Sequence, residues 1–237
     1  MVATSNKQQL LGLSVAALLT LSSLSAKGTQ SSLSEQNAFY VGAGFQYSNY
    51  SWKWKWKWKW SGTYYGNESQ SASYQAYGVD VRGGYKQFFG ERKKWGARYY
   101  GVFSYNYAVP TNLAWGVGAD ALYNFYAFQN KYLLGAFLGL QLMGSSWLGL
   151  GSKAAWKGTG VQTRSTTFQL PINLGFRMSW TQHQSAELGV LIPIVPSPSY
   201  NWRYSYTWYD GTTTSYSVSY RRNVSIYLTM CGVFDSG

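Results

Sequence analysis

The sequence predicts an all-β protein, an eight-stranded antiparallel up-and-down transmembrane β-barrel. Three observations point there: long stretches that alternate apolar with polar or small residues at a period of two, no apolar run after the N-terminal leader long enough for a spanning helix, and connections that alternate between short and long. The clearest stretch is Phe168–Trp180, where Phe168, Leu170, Ile172, Leu174, Phe176, Met178 and Trp180 share one face. Gln169, Asn173, Arg177 and Ser179 share the other, as the alternation of side chains along a strand requires. A tilted strand crosses a bilayer in about 9–11 residues, so the apolar face is a lipid face and the polar one a lumen face.

The chain opens with a segment that reads as a secretory leader, residues 1–26. Lys7 supplies the positive charge, Leu10–Leu21 the apolar stretch, and Ser23, Ser25 and Ala26 the small residues before cleavage. Residues 27–237 then form one domain. The first strand, Phe39–Tyr47, sets Phe39, Val41, Ala43, Phe45 and Tyr47 outward. Tyr74–Gln87 follows, with Tyr77, Val79, Val81 and Tyr85 out and Asp80, Arg82, Gly84 and Lys86 in. The charged turn Gly90–Lys94 leads to Trp95–Tyr107, and the short connection Ala108–Thr111 leads to Asn112–Phe125, with an outward row from Leu113 to Phe125. The fifth strand is Tyr132–Met143, the sixth Phe168–Trp180, the seventh Glu187–Pro196 and the eighth Tyr220–Phe234. Connections after strands two, four and six are brief, whereas those over about 48–73, 144–166 and 197–219 are long. Barrels of the outer membrane have short periplasmic turns and long outer loops. The alternation therefore predicts periplasmic termini.

Composition narrows the function classes. Aromatic residues make up 19% of the chain and charged ones only 12%, with Gly 26 against Pro 5, a profile suited to aromatic girdles and a narrow lumen. The net charge of +12, on a secreted chain, points to anionic lipid and lipopolysaccharide phosphates rather than nucleic acid. One cysteine, Cys231, excludes an intrachain disulfide framework. No cofactor or metal motif is present. The only histidine, His183, lies in the short turn Thr181–Ala186 with Ser185 two residues away. An outer membrane enzyme built on this pair is the weakest of the three function classes, because Ser is common in turns anyway.

Two constellations stand out as candidate sites. The inward charges Asp80, Arg82, Lys86, Arg98, Asp120, Arg177 and Glu187 lie inside a barrel just wide enough for side chains. Pairing across the Ala108–Thr111 turn sets Arg98 opposite Asp120. This set is either a structural plug or the lining of a narrow pore or small-solute site. The second constellation is the tract Ser51–Trp60, with Trp52, Trp54, Trp56, Trp58 and Trp60 alternating with Lys53, Lys55, Lys57 and Lys59. In an extended strand the indoles share one face and the ammonium groups the other. It is either a strand extension that grips lipopolysaccharide or an expanded dipeptide repeat in a tolerant loop.

The segment Lys86–Ala108, with its Arg98-Tyr99-Tyr100-Gly101 motif, and the run from Gly118 to Phe125 resemble the membrane domain of the Helicobacter outer membrane protein family. Asn37–Tyr47 is similar to that family's first mature strand. The resemblance covers strands one to seven. Larger members insert adhesin domains after the first strand, whereas this chain has only 48–73 there, so it resembles the short members. The resemblance implies a structural or adhesive outer membrane barrel, inserted by the barrel assembly machinery, whose surface loops contact host ligands or lipopolysaccharide.

Overall fold

The computed structural model describes residues 37–60, 63–108, 110–128, 131–148, 162–164, 166–195 and 200–234. The leader at 1–26 and most of the connection at 144–166 lie outside the described residues. The strands are β1 (Ala38–Trp60), β2 (Thr63–Phe89), β3 (Trp95–Tyr107), β4 (Thr111–Phe128), β5 (Tyr132–Leu148), β6 (Gln162–Arg164), β7 (Thr166–Gln169), β8 (Pro171–Ser179), β9 (Gln184–Pro193), β10 (Tyr200–Thr207) and β11 (Thr213–Phe234). No helix among the described residues is long and apolar enough to cross a membrane.

Eight of these strands close a ring. Each pairs antiparallel with the next in the order β1-β2-β3-β4-β5-β8-β9-β11, and β11 returns to β1. Closure begins at Phe39 opposite Phe234 and runs upward with one irregularity, between Asn49 and Tyr50, so no ring strand keeps a free edge within the wall. The sixth strand of the sequence reading divides in two at Leu170, because Pro171 has no N–H to give the ladder. β7 and β8 both still pair with β5, and the Leu170 carbonyl accepts the Ile194 N–H at 2.9 Å.

The ring is polar inside and apolar outside. Phe45, Tyr99, Val117, Leu138, Phe176, Leu188 and Leu228 are all about half exposed on the outer face, while Asp80, Arg82, Arg98, Asp120, Asn173 and Glu187 are buried. A water-soluble sandwich would invert that arrangement; a bilayer requires it. The lumen holds two aromatic rings, each folded over the glycine opposite it on the neighbouring strand. At Gly118 a Cβ would lie 2.5 Å from Tyr100 Cζ, and the Tyr227 ring occupies the same kind of space over Gly189.

The stretch 48–73, expected as a loop, is almost entirely strand. β1 continues past Tyr47 to Trp60 and pairs with β2 as far as Thr63 and with β11 as far as Thr213. The physical reason is the tract's own period of two, which suits a pleated ladder with distinct faces. The stretch 197–219 is likewise a hairpin, β10 against the first half of β11, extended by β6 along β10. A sheet of β2, β1, β11, β10 and β6 therefore projects from the barrel rim opposite the termini.

Candidate functional site

Five of the seven inward charges form one chain of contacts at mid-height. Asp80 and Arg82, two apart on β2, share a face; Arg82 donates from Nη2 to Asp80 Oδ2 at 2.7 Å. Arg98 on β3 lies in register with Asp120 on β4 and donates from Nε to its Oδ2 at 2.7 Å. Glu187 on β9 joins the two halves. It accepts from Arg98 Nη1, and its Oε2 lies 3.9 Å from Arg82 Nη1. The order across the lumen is thus Asp80, Arg82, Glu187, Arg98, Asp120.

Neutral donors complete the carboxylates. Asn173 donates to both oxygens of Asp120, at 3.1 and 2.9 Å, and Tyr100 Oη donates to Oδ1 at 3.2 Å. Tyr227 fixes Asn173 through its carbonyl at 2.8 Å, and Gln141 donates to Tyr100 Oη at 2.9 Å. The guanidiniums also stack on rings, Arg82 over Tyr227 at 4.1 Å and Arg98 over Phe137 at 4.7 Å. Buried charges persist only when paired in this way.

Lys86 and Arg177 lie beside that chain, opposite Arg98 and Glu187 in the ladder. Arg177 pairs in register with Glu187, but its Nη2 donates to Asn124 Oδ1 at 2.5 Å and its guanidinium lies 5.0 Å from the Phe88 ring. Lys86 Nζ approaches the same ring at 5.9 Å. A cavity of about 10 Å³ between Lys86, Arg98, Arg177 and Glu187 is room for about one water. His183 sits in the turn at the terminal end, its carbonyl accepting the Val233 N–H at 2.8 Å, while Ser185 is buried in the wall.

The sequence reading missed one buried charge, Arg222. A period of two places it outward with Val224 and Ile226. In the structure Asn49 pairs with Val224 but Tyr50 pairs with Arg222, so Asn223 is an extra residue in the ladder. This bulge turns Arg222 inward, where it donates to Tyr50 Oη at 3.3 Å and Asn112 Oδ1 at 3.2 Å.

The Trp-Lys tract is divided by the sheet. Trp52, Trp54, Trp56 and Trp58 continue the inward row of Gln46, Ser48 and Tyr50, and Trp56 stacks on Tyr216 of β11 at 5.9 Å with a 3° interplanar angle. Lys53, Lys55, Lys57 and Lys59 continue the outward row of Phe45 and Tyr47. Trp60 donates from its indole to the Asp210 carbonyl at 3.1 Å.

The model of the Helicobacter outer membrane protein family matches residues 80–234. The chain belongs to that family. As a member of it, this is an outer membrane β-barrel protein. The matched span contains β3 to β11 and all seven inward charges, whereas β1, with the Trp-Lys tract, precedes it. Among solved structures the chain is similar to Neisserial surface protein A, at 15% identity over 84% of this chain and 100% of that one, with a TM-score of 0.38. It is similar to the outer membrane protein OprG from Pseudomonas aeruginosa, at 11% identity over 87% and 100%, TM-score 0.44. It is also similar to Ail, the attachment invasion locus protein of Yersinia pestis, at 11% identity over 81% and 99%, TM-score 0.34. No curated protein matches the sequence.

Proposed function

We propose that the protein is a sealed outer membrane barrel, structural or adhesive rather than enzymatic, whose working part is the sheet that projects from its rim. Residues 1–26 serve as the secretory leader, 27–237 as the barrel delivered by the assembly machinery, and both termini face the periplasm. The observation that carries this reading is the continuation of β1 and β11 as a paired sheet from Asn49 to Lys59, beyond the outward apolar row that ends at Tyr47. A strand that only had to cross lipid would stop there. The pairing holds the projecting face rigid, which lowers the entropy lost on binding a ligand. The lumen supports the sealed reading, since ion pairs and stacked rings fill its middle.

The test has two arms on the purified, refolded barrel. Planar-bilayer recordings should show no steady open current. Binding to host glycans, matrix proteins and lipopolysaccharide should occur for the intact chain and be lost when residues 51–73 are replaced by a short turn. A steady conductance would favour a narrow pore or small-solute barrel instead. Undiminished binding after the replacement would remove the projecting sheet from the function.

A further inference from the structure

Arg222, 1% exposed, is a buried guanidinium that meets no carboxylate among the described residues. Its Nε and Nη2 donate to Tyr50 Oη at 3.4 and 3.3 Å, and Nη2 also to Asn112 Oδ1 at 3.2 Å. Both acceptors are neutral, and both are held by other bonds. Tyr50 Oη donates to Asn112 Oδ1 at 3.1 Å, and Asn112 Nδ2 donates to Ser145 Oγ at 2.8 Å. Nη1, which carries two N–H groups, has no acceptor among the described residues.

The chain has only eight carboxylates with which to neutralise this charge. Asp80, Asp120 and Glu187 are engaged by Arg82 and Arg98. Asp80 lies opposite Gly44 on β1, about 20 Å of strand below Tyr50, and Thr229 sets Glu187 at that same level. Asp120 is farther, eight residues along β4 from Asn112. Glu68 pairs with Trp56, about 20 Å of strand above Tyr50, and Asp210 lies beyond it, beside Trp60. Glu91 is in the turn after β2, while Glu35 and Asp235 adjoin in sequence the terminal ends of β1 and β11, about 40 Å of strand away. An arginine does not shed its proton, and a buried charge persists only when it is paired.

Two further donors in the same cluster are without an acceptor among the described residues. Trp147, opposite Asn112 in the ladder, is buried with its Nε1 unpaired, and the hydroxyl of Tyr74, opposite Tyr50, is unpaired too. Trp147 meets the Tyr50 ring edge-on at 5.2 Å, and Tyr74 stacks on it at 5.5 Å. Both also touch Tyr220, at 5.7 and 6.2 Å. A water accepts two hydrogen bonds but has two protons of its own to place, and Tyr50 Oη and Asn112 Oδ1 are already taken. An anion needs donors only. Rings this close leave no room for a sugar or a phosphoester.

We propose that Arg222, Trp147 and Tyr74 hold a small inorganic anion, of halide size, where the barrel wall passes into the projecting sheet. Arg222 Nη1 supplies the charge, and the indole N–H and the phenol complete the shell. Because these residues belong to β11, β5 and β2, the ion joins three parts of the rim and fixes the root of the sheet beside the bulge at Asn223. The site is independent of what the sheet binds and of which way the barrel faces.

The test uses the refolded barrel in phosphatidylcholine vesicles at fixed ionic strength, with chloride as the probe exchanged against gluconate, which is too large for the site. Chloride should raise the folding equilibrium constant of the wild-type barrel saturably, by about five-fold or more in urea titrations. Arg222→Gln should abolish that response, whereas Arg221→Gln, which removes the adjacent exposed cation, should keep it. Crystals soaked in bromide should show an anomalous peak against Arg222 Nη1, a measurement that needs no variant to fold. Equal stability of the wild-type barrel in the two salts, or a response that persists in Arg222→Gln, would overturn the proposal. Bromide confined to the outward lysines and arginines, an adventitious ion only, would overturn it too.

Discussion

Removing Arg98 should destabilise the barrel more than removing any other single inward charge, because it hydrogen-bonds two carboxylates, whereas Arg82 hydrogen-bonds Asp80 and lies 3.9 Å from Glu187. Arg98 donates to Asp120 at 2.7 Å and to Glu187. Without it Asp120 still has Asn173 and Tyr100 as donors, whereas Glu187 loses its hydrogen-bonded guanidinium and keeps Arg82 at 3.9 Å. Arg98→Leu should therefore cost about 3–5 kcal/mol, the usual loss when one partner of a buried pair is removed. Asp120→Asn should cost less, about 2 kcal/mol, since Arg98 keeps Glu187 and only the charge-assisted bond is lost. The double variant should fall short of the sum by about 1–3 kcal/mol, the coupling expected for residues in direct contact. Urea titration of the barrel in vesicles, followed by tryptophan fluorescence and by heat-shifted migration on gels, measures all three. Losses that add to within about 0.5 kcal/mol would show that the pair does not interact and that the lumen chain is not a single network.

Leu174→Arg, on the outward face of β8, should lower bilayer stability by about 2–4 kcal/mol. A spin label at 174 in a Cys231→Ser background should be accessible to oxygen, while one at 173, where Asn173 is fully buried, should be accessible to neither oxygen nor aqueous reagents. Gly139→Val should cost about 1–3 kcal/mol or prevent closure, since a Cβ there would meet the Ala119 carbonyl and Asp120; normal urea stability would refute the close approach of β5 and β4. The refolded barrel should migrate anomalously on gels until boiled and show a β-type circular dichroism spectrum, as a closed set of strands resists detergent.

What could be read from the sequence was set by how far the period of two runs without interruption. Arg98 and Asp120 could be placed opposite each other because the Ala108–Thr111 connection is short and neither β3 nor β4 has a bulge between them and the turn. Arg222 could not, because a single extra residue, Asn223, changes the parity of everything beyond it and nothing local marks the site. Asn223 bonds the side chain of Asn49 at 2.7 Å and accepts from Ser51 at 3.1 Å, contacts between distant parts of the chain. The length of β1 was underestimated for another reason. The outward apolar row ends at Tyr47, so a criterion based on lipid contact ends the strand there, but backbone pairing follows the ladder and not the membrane. Lys86 and Arg177 share the parity of the network charges and lie opposite Arg98 and Glu187 in the ladder, but parity alone does not show that both cations meet the Phe88 ring.

The bulge at Asn223 also links the two halves of the molecule. Below it β11 pairs with β9 over Ser225–Gly232; above it β11 pairs with β10 over Thr213–Tyr220. Odd-numbered residues face the lumen below and even-numbered ones face the inner side above, because Asn223 is looped out of the alternation; Tyr227 and Tyr216 therefore look the same way. Deleting Asn223 leaves Val224 opposite Asn49 and Arg222 opposite Tyr50 in an unbroken ladder. Both halves then keep their faces: Arg222 stays on Tyr50 and Asn112, and Tyr216 stays on Trp56. What is lost is the local twist of the bulge and the side-chain bonds of Asn223 to Asn49 and Ser51, together about 1–2 kcal/mol. The barrel should still fold, with its urea midpoint slightly lowered and its tryptophan emission unchanged, since the indoles of β1 keep their stacking partners. An emission shifted to the red in the deletion variant would mean that Asn223 is not the residue the ladder skips and that the inner face of the projecting sheet is set in some other way.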